Sequence, residues 1–195
     1  MCRLESLGLG VDGPLEYVPF FEPDEKWTAS LDALGERFPY RPMSRERHLY
    51  ILQDIKRLVA PAGIRVMWPV DRSPDWSIPH LTFLACRSVG LGKAFFWEVH
   101  SARWLRAESI WDWASVERLL RKITDDVDEV LELAQSDAVR AQALEALLQC
   151  CRSNVFGVPF FCIGRQQFWG QDRVDAFLGA LGYGHRESAS SNNNA

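Results

Sequence analysis

No two cysteines of this chain are separated by two residues. The 195-residue sequence holds five, Cys2, Cys86, Cys150, Cys151 and Cys162. A dithiol that oxidises other proteins needs two thiols that can close on each other, and the missing Cys-x-x-Cys argues against that chemistry. Cys150 and Cys151 are adjacent on a helical pattern, where neighbouring side chains do not face each other, so both read as core or surface thiols. The four histidines, His48, His80, His100 and His185, show no metal-ligand spacing, and no structural zinc is expected. No apolar run approaches the roughly 18 residues of a membrane span. The net charge is −4 with both signs interspersed, without the clustered basic face that nucleic acid requires. Neither nucleic acid nor membrane is expected as a partner. Met1 to Glu5 carries no apolar stretch of a secretory signal, which makes the cytoplasm the expected compartment.

What is present is a globular composition, 47% hydrophobic with eight tryptophans. The length suits one well-buried domain with a helical insertion. Leu15 to Phe21 reads as a short strand, and residues 22–43 as a loop with room for a short helix. Ser44 is a plausible N-cap for a helix carrying Leu49, Leu52, Ile55, Leu58 and Val59 up to Pro61. Gly63 to Trp68 fits a short strand or extended segment, and Asp71 to Pro79 a proline-punctuated loop. Helical patterns then cover His80–Ser88, Lys93–Arg106, Ala114–Ile123, Val127–Ala134 and Ser136–Arg152. Pro159–Ile163 and Gln166–Trp169 form a hairpin over Gly164-Arg165. A helix over Gln171–Leu181 turns Val174, Phe177, Leu178 and Leu181 inward. The Ser/Asn-rich end is a polar tail expected to be disordered.

The most informative stretch is residues 155–173, with Phe156-Gly157-Val158-Pro159 followed by Phe168-Trp169-Gly170-Gln171-Asp172-Arg173. It resembles the last part of thioredoxin-like domains of the DsbA type. More narrowly, it is similar to 2-hydroxychromene-2-carboxylate isomerases and their relatives, the kappa-class glutathione transferases. Phe95 to Trp104 looks like the insertion helix of those families, and Ser136 to Ser153 like the helix leading to their Gly-Val-Pro turn. The resemblance implies an α/β thioredoxin-like fold with an all-helical insertion. It divides the chain into an N-terminal part of that fold (1–70), the insertion (71–135), a C-terminal part (136–182) and the tail (183–195).

The same resemblance implies glutathione as the cofactor. The proline would be cis. The backbone at Val158 and Pro159 would hold the cysteinyl part in the manner of an added strand, and Gln171 with Asp172 would receive the γ-glutamyl end, Asp172 pairing its ammonium. Arg173 would take a glutathione carboxylate or form a surface salt bridge. Asp172 also suits the helix dipole as a first-turn acid. Trp76, Phe83, Trp97, Trp104 and Trp111 are candidates for an aromatic substrate pocket, each also suited to a helix core. Of these, Trp76 and Trp104, with His80 after Pro79, are placed nearest the site. His80 also fits a surface position, and His100 a satisfied core histidine.

One part of the family pattern is missing. Those families open with a strand ending in Ser-Pro, whose serine sits beside the glutathione thiol. Only 14 residues precede the Leu15 strand here, none reads Ser-Pro, and Met1 to Leu9 fits the end of the first helix. The catalytic residue is therefore unassigned, and Ser6, inside that helix, is a poor substitute. A truncated start and a shortened relative both account for this, and the unpaired backbone left by a lost central strand favours the first. The expected activity is a glutathione-dependent isomerisation of an aromatic enone. The alternatives are a kappa-type transferase, a DsbA-like thiol oxidoreductase and a non-catalytic binding module. The resemblance also implies pairing into a homodimer.

Overall fold

The computed structural model describes residues 2–41 and 43–183, and the expected polar tail from position 184, with His185, lies outside the described residues. The chain divides into two compact units, Met1–Ser153 and Asn154–Ala195.

The first unit is helical. A short helix α1 (Cys2–Ser6) stops at Gly8, whose φ of +70° suits glycine, with the Leu9 N–H returning to the Leu4 carbonyl at 2.8 Å. Helix α2 (Glu25–Ala33) is the short helix for which residues 22–43 left room, started by Asp24, which accepts the N–H groups of Lys26 and Trp27 as an N-cap. Ser44 caps α3 (Arg45–Val59) as its sequence suggests, and a 3-10 turn follows at Ala60–Ala62. Then come α4 (Ser77–Ser88), α5 (Gly92–Leu105), α6 (Trp113–Leu120), α7 (Val127–Gln135) and α8 (Asp137–Arg152). Helix α4 starts three residues before the expected position, at Ser77, whose N–H Asp75 accepts. Pro79 therefore sits in the first turn, where its missing N–H leaves no bond unmade.

Two expected extended segments form no ladder among the described residues. Leu15 to Phe21 is not a strand, since its backbone serves side chains instead. Arg87 Nη1 donates to the Tyr17 carbonyl at 3.0 Å, and Cys150 Sγ lies 4.0 Å from the Pro19 carbonyl. Gly63 to Trp68 is also unpaired as a strand, with the Met67 N–H bonded to the Trp104 carbonyl at 2.7 Å.

The core of this unit surrounds α4. Leu81, Leu84, Ala85 and Cys86 from α4 meet Phe95 of α5, Val116 and Leu120 of α6, Val130 of α7 and Leu147 of α8, all buried. In the second unit β1 (Phe160–Ile163) pairs antiparallel with β2 (Gln166–Trp169), Phe161 facing Phe168. The expected terminal helix is split into a 3-10 turn, Gln171–Arg173, and α9 (Val174–Ala180). Phe177 and Leu178 of α9 are buried, and Phe161 stacks on Phe177 with centroids 4.6 Å apart. No helix among the described residues is long and apolar enough to cross a membrane.

Truncating Leu147 to alanine opens a cavity beneath α4. Denaturant unfolding is expected to show a loss of about 2–5 kcal/mol.

Candidate functional site

In the second unit the two halves of the expected glutathione cradle are brought together by one hydrogen bond. The Gly170 N–H donates to the Pro159 carbonyl at 2.9 Å. Val158 lies one residue before that carbonyl, and Gln171 one residue after that N–H. The Val158–Pro159 peptide bond is cis. Val158 is 59% exposed, and among the described residues it enters no backbone hydrogen bond. Beneath the turn, Phe156 packs edge-on against Trp169 with centroids 4.8 Å apart. Gly157 is needed here for proximity and not for a left-handed backbone, because a Cβ would stand 3.0 Å from Trp169 Nε1.

Gly170 is the other constrained position. Its φ of 96° and ψ of 156° belong to a region that only glycine occupies readily. A Cβ there would also meet Asp172 Oδ1 at 2.6 Å. The glycine thus lets the chain leave β2 and turn at once into Gln171–Arg173. Gln171, Asp172 and Arg173 are all exposed, and Arg173 Nη1 sits 2.9 Å from Asp172 Oδ2. That surface ion pair is one of the two roles considered for Arg173. With both side chains more than half exposed, it contributes little to stability and stays open to exchange with a ligand.

The remaining candidates belong to the first unit. Trp76 and Trp104 flank Arg103, whose guanidinium carbon lies 4.8 Å and 4.9 Å from their ring centres. The same guanidinium holds Asp71 with two bonds of 2.9 and 2.6 Å. Trp68 stands edge-on to Trp104 at 5.3 Å, and its buried Nε1 has no partner among the described residues. His80 is a partly buried helix residue and not an exposed helix start. Its Nδ1 lies 2.6 Å from the Trp76 carbonyl, and its ring packs on Phe21 at 5.2 Å. His100 repeats this arrangement, with Nδ1 2.7 Å from the Phe96 carbonyl and its ring 4.0 Å from that of Phe96. A carbonyl can only accept, so both Nδ1 atoms carry the hydrogen. Burial lowers the pKa of both histidines below the ordinary 6.5.

Trp97 donates its Nε1–H to Glu5 at 3.4 Å, and Phe83 packs edge-on against Phe96. Ser6 donates its hydroxyl to the Arg3 carbonyl inside α1 at 2.9 Å. A separate cleft of about 330 Å³ opens between α2, α4 and α8, with Trp27, Leu81 and Trp113 in its walls and Lys26 and Arg140 at its rim. Trp76, His80 and Trp104 do not line it. Sequence reasoning missed this cleft because its residues come from four separated segments with no shared motif. Among the described thiols, Cys86, Cys150 and Cys151 are buried and Cys162 on β1 is exposed. Burial pushes Cys86 up to about 12 and raises Cys151 and Cys162 as well.

Residues 26–182 match the DSBA-like thioredoxin domain family, and the chain belongs to that family. It is 24% identical over 177 residues to 2-hydroxychromene-2-carboxylate isomerase of Sphingobium xenophagum, which spans 89% of this chain and 85% of that protein. A solved structure of a 2-hydroxychromene-2-carboxylate isomerase superposes with a TM-score of 0.70 at 20% identity, over 93% of this chain and 86% of the other. The fold is therefore thioredoxin-like of the DsbA type, mostly helical with a small two-stranded sheet, in keeping with a helical insertion. The resemblance carried by residues 155–173 is supported by both relatives.

Two outcomes follow. Substituting Gly170 with alanine is expected to cost about 1–3 kcal/mol in denaturant unfolding, from backbone strain and the Asp172 clash together. The histidines give a pH dependence. In the unfolded chain they take up protons near pH 6.5, before the folded chain does, so stability is full above that pH and is lost as pH falls below it. The slope is at most about 1.4 kcal/mol per pH unit for each histidine. Melting temperatures measured from pH 7.5 to 5 should fall, and His80→Asn should flatten the fall.

Proposed function

We propose that this chain is a glutathione-dependent isomerase of a small aromatic enone, similar to 2-hydroxychromene-2-carboxylate isomerase, and that it works in the cytoplasm. The observation that carries this reading is the Pro159–Gly170 hydrogen bond, which sets the open backbone of Val158 beside the Gln171–Asp172 turn. The family and both relatives point the same way.

The residues present fit the peptide. Val158 offers an unbonded backbone edge to an extended chain, the mode by which short peptides add to a strand. The Gln171 amide and the turn's N–H groups suit a carboxylate. Asp172 takes an ammonium once its exposed pairing with Arg173 loosens, and Arg173 is then left for a second carboxylate. Bound glutathione supplies a thiol nucleophile that adds reversibly to a conjugated enone and leaves after bond rotation. What the chain contributes is the position of that thiol, set from two sides of one short turn.

The test is a calorimetric titration of the chain with glutathione, repeated on Asp172→Ala and followed by an isomerase assay with an aromatic enone. Saturable binding weakened by about 1–3 kcal/mol in the variant, with turnover, is the expected result. Binding with conjugation of an electrophile would instead mark a kappa-type transferase, and binding with no turnover a binding module. A folded chain that does not bind glutathione overturns the reading.

A further inference from the structure

Among the described residues, none from Arg41 to Val70 is buried, although this stretch carries more than ten large apolar side chains. Seven of the fifteen large hydrophobics exposed among the described residues fall between Met43 and Val70. Helix α3 lies at the centre of the stretch. Its one substantial neighbour among the described elements is the 3-10 turn that follows it. A 15-residue helix with no fully buried residue is marginal in water; of its apolar residues Ile51, Leu52, Ile55 and Val59 are half-buried and Leu58 is exposed, and none of them belongs to the core around α4.

Most apolar residues of α3 gather on one side, with the exposed His48 among them. At about 100° per residue, Ile51, Leu52, Ile55, Leu58 and Val59 fall in one arc of about 120°. Arg45 and Lys56 run along one edge of this arc, and Arg47 lies on the other. From Arg41 to Arg65 six basic residues stand against two acidic ones, Glu46 and Asp54, and Asp54 is already paired with Arg57 at 3.1 Å. The chain as a whole is acidic, with net charge −4, so this segment opposes the balance of the rest.

We propose that α3 is a peripheral docking helix for an anionic phospholipid surface. Its apolar arc would lie at the level of the acyl chains while Arg45, Arg47 and Lys56 reach the headgroups, as amphipathic interfacial helices do. The surface that complements this charge is the anionic cytoplasmic leaflet. A second copy of the chain is the less favoured occupant. Symmetric pairing of the face with itself sets its basic edges against each other, and an off-axis pairing does not close. The mode is adsorption and not a span, so it revises the expectation of no membrane partner without a transmembrane segment.

The full chain is to be floated with phosphatidylcholine vesicles and with vesicles of phosphatidylcholine mixed with phosphatidylglycerol. Two variants, Ile55→Asp and the double variant Arg45→Glu/Lys56→Glu, are run beside it. No α3 residue is fully buried and none belongs to the core around α4, so both variants should still melt cooperatively, with the half-buried Ile55 the only one of the three positions whose change lowers the midpoint. Expected are flotation with the anionic vesicles alone, release by salt, and a drop of about tenfold or more in partition for each variant. An unbound parent chain, or variants that bind as well as the parent, overturns the proposal. So does a parent that sediments as a dimer which Ile55→Asp splits while the vesicles stay empty, since the occupant is then a second copy.

Discussion

Burial of α4 on nearly every side is the constraint around which the first unit is arranged. Eight of its twelve residues are buried, and α5, α6, α7 and α8 all pack against it. A helix covered this fully has no polar face to present to water, so its few polar groups must find partners within the protein. The Thr82 hydroxyl turns back to the Ile78 carbonyl at 2.9 Å, and Ser77 is held by Asp75 at 2.6 Å. His80 gives its Nδ1 hydrogen to the Trp76 carbonyl. Only at its end does α4 reach outward, where Arg87 takes up the Tyr17 carbonyl that no neighbouring strand claims. The orientation of the aromatic cluster around His80, Phe21 and Trp76 follows from where α4 must lie.

The elements that were legible in the sequence are those specified by local chemistry. Ser44 and Pro61 bracket α3, Ser136 caps α8 with its hydroxyl on the Val139 N–H, and Gly164 closes the hairpin with a φ of +56°. The candidate cradle was legible for the same reason, since Val158 and Arg173 are only fifteen positions apart. Non-local structure was not legible. The strand expected over Leu15–Phe21 has the right composition, but a ladder depends on a partner elsewhere in the chain. The start of α4 was misplaced because Pro79 reads as a boundary, whereas a first-turn proline is compatible with a helix. Trp76 and Trp104 were read as a pocket lining. In the structure each has Arg103 over its ring, a pairing that depends on how α5 meets the Asp71 loop.

The second unit achieves its geometry with very little sequence. Two four-residue strands, a 3-10 turn and a seven-residue helix are held by the β1–β2 ladder, by aromatic contacts of Phe161 and Phe168 with Phe177 and of Phe156 with Trp169, and by the bond from Gly170 to Pro159. Gly157 and Gly170 cannot be exchanged freely, the first because Trp169 is too close and the second because of its dihedral angles. A site built on such a turn is positioned by backbone geometry, and its side chains can change with less cost than its glycines.

The distribution of thiols has a practical consequence. Cys86, Cys150 and Cys151 lie buried in the helical unit, while Cys162 stands exposed on the hairpin. Among these four described thiols, a maleimide or similar reagent therefore meets Cys162 first. The three enclosed sulfurs become reactive only when the helices separate. Their labelling rate under native conditions is a clock for the opening of the first unit, read without denaturant, and the early label at Cys162 is an internal reference from the second.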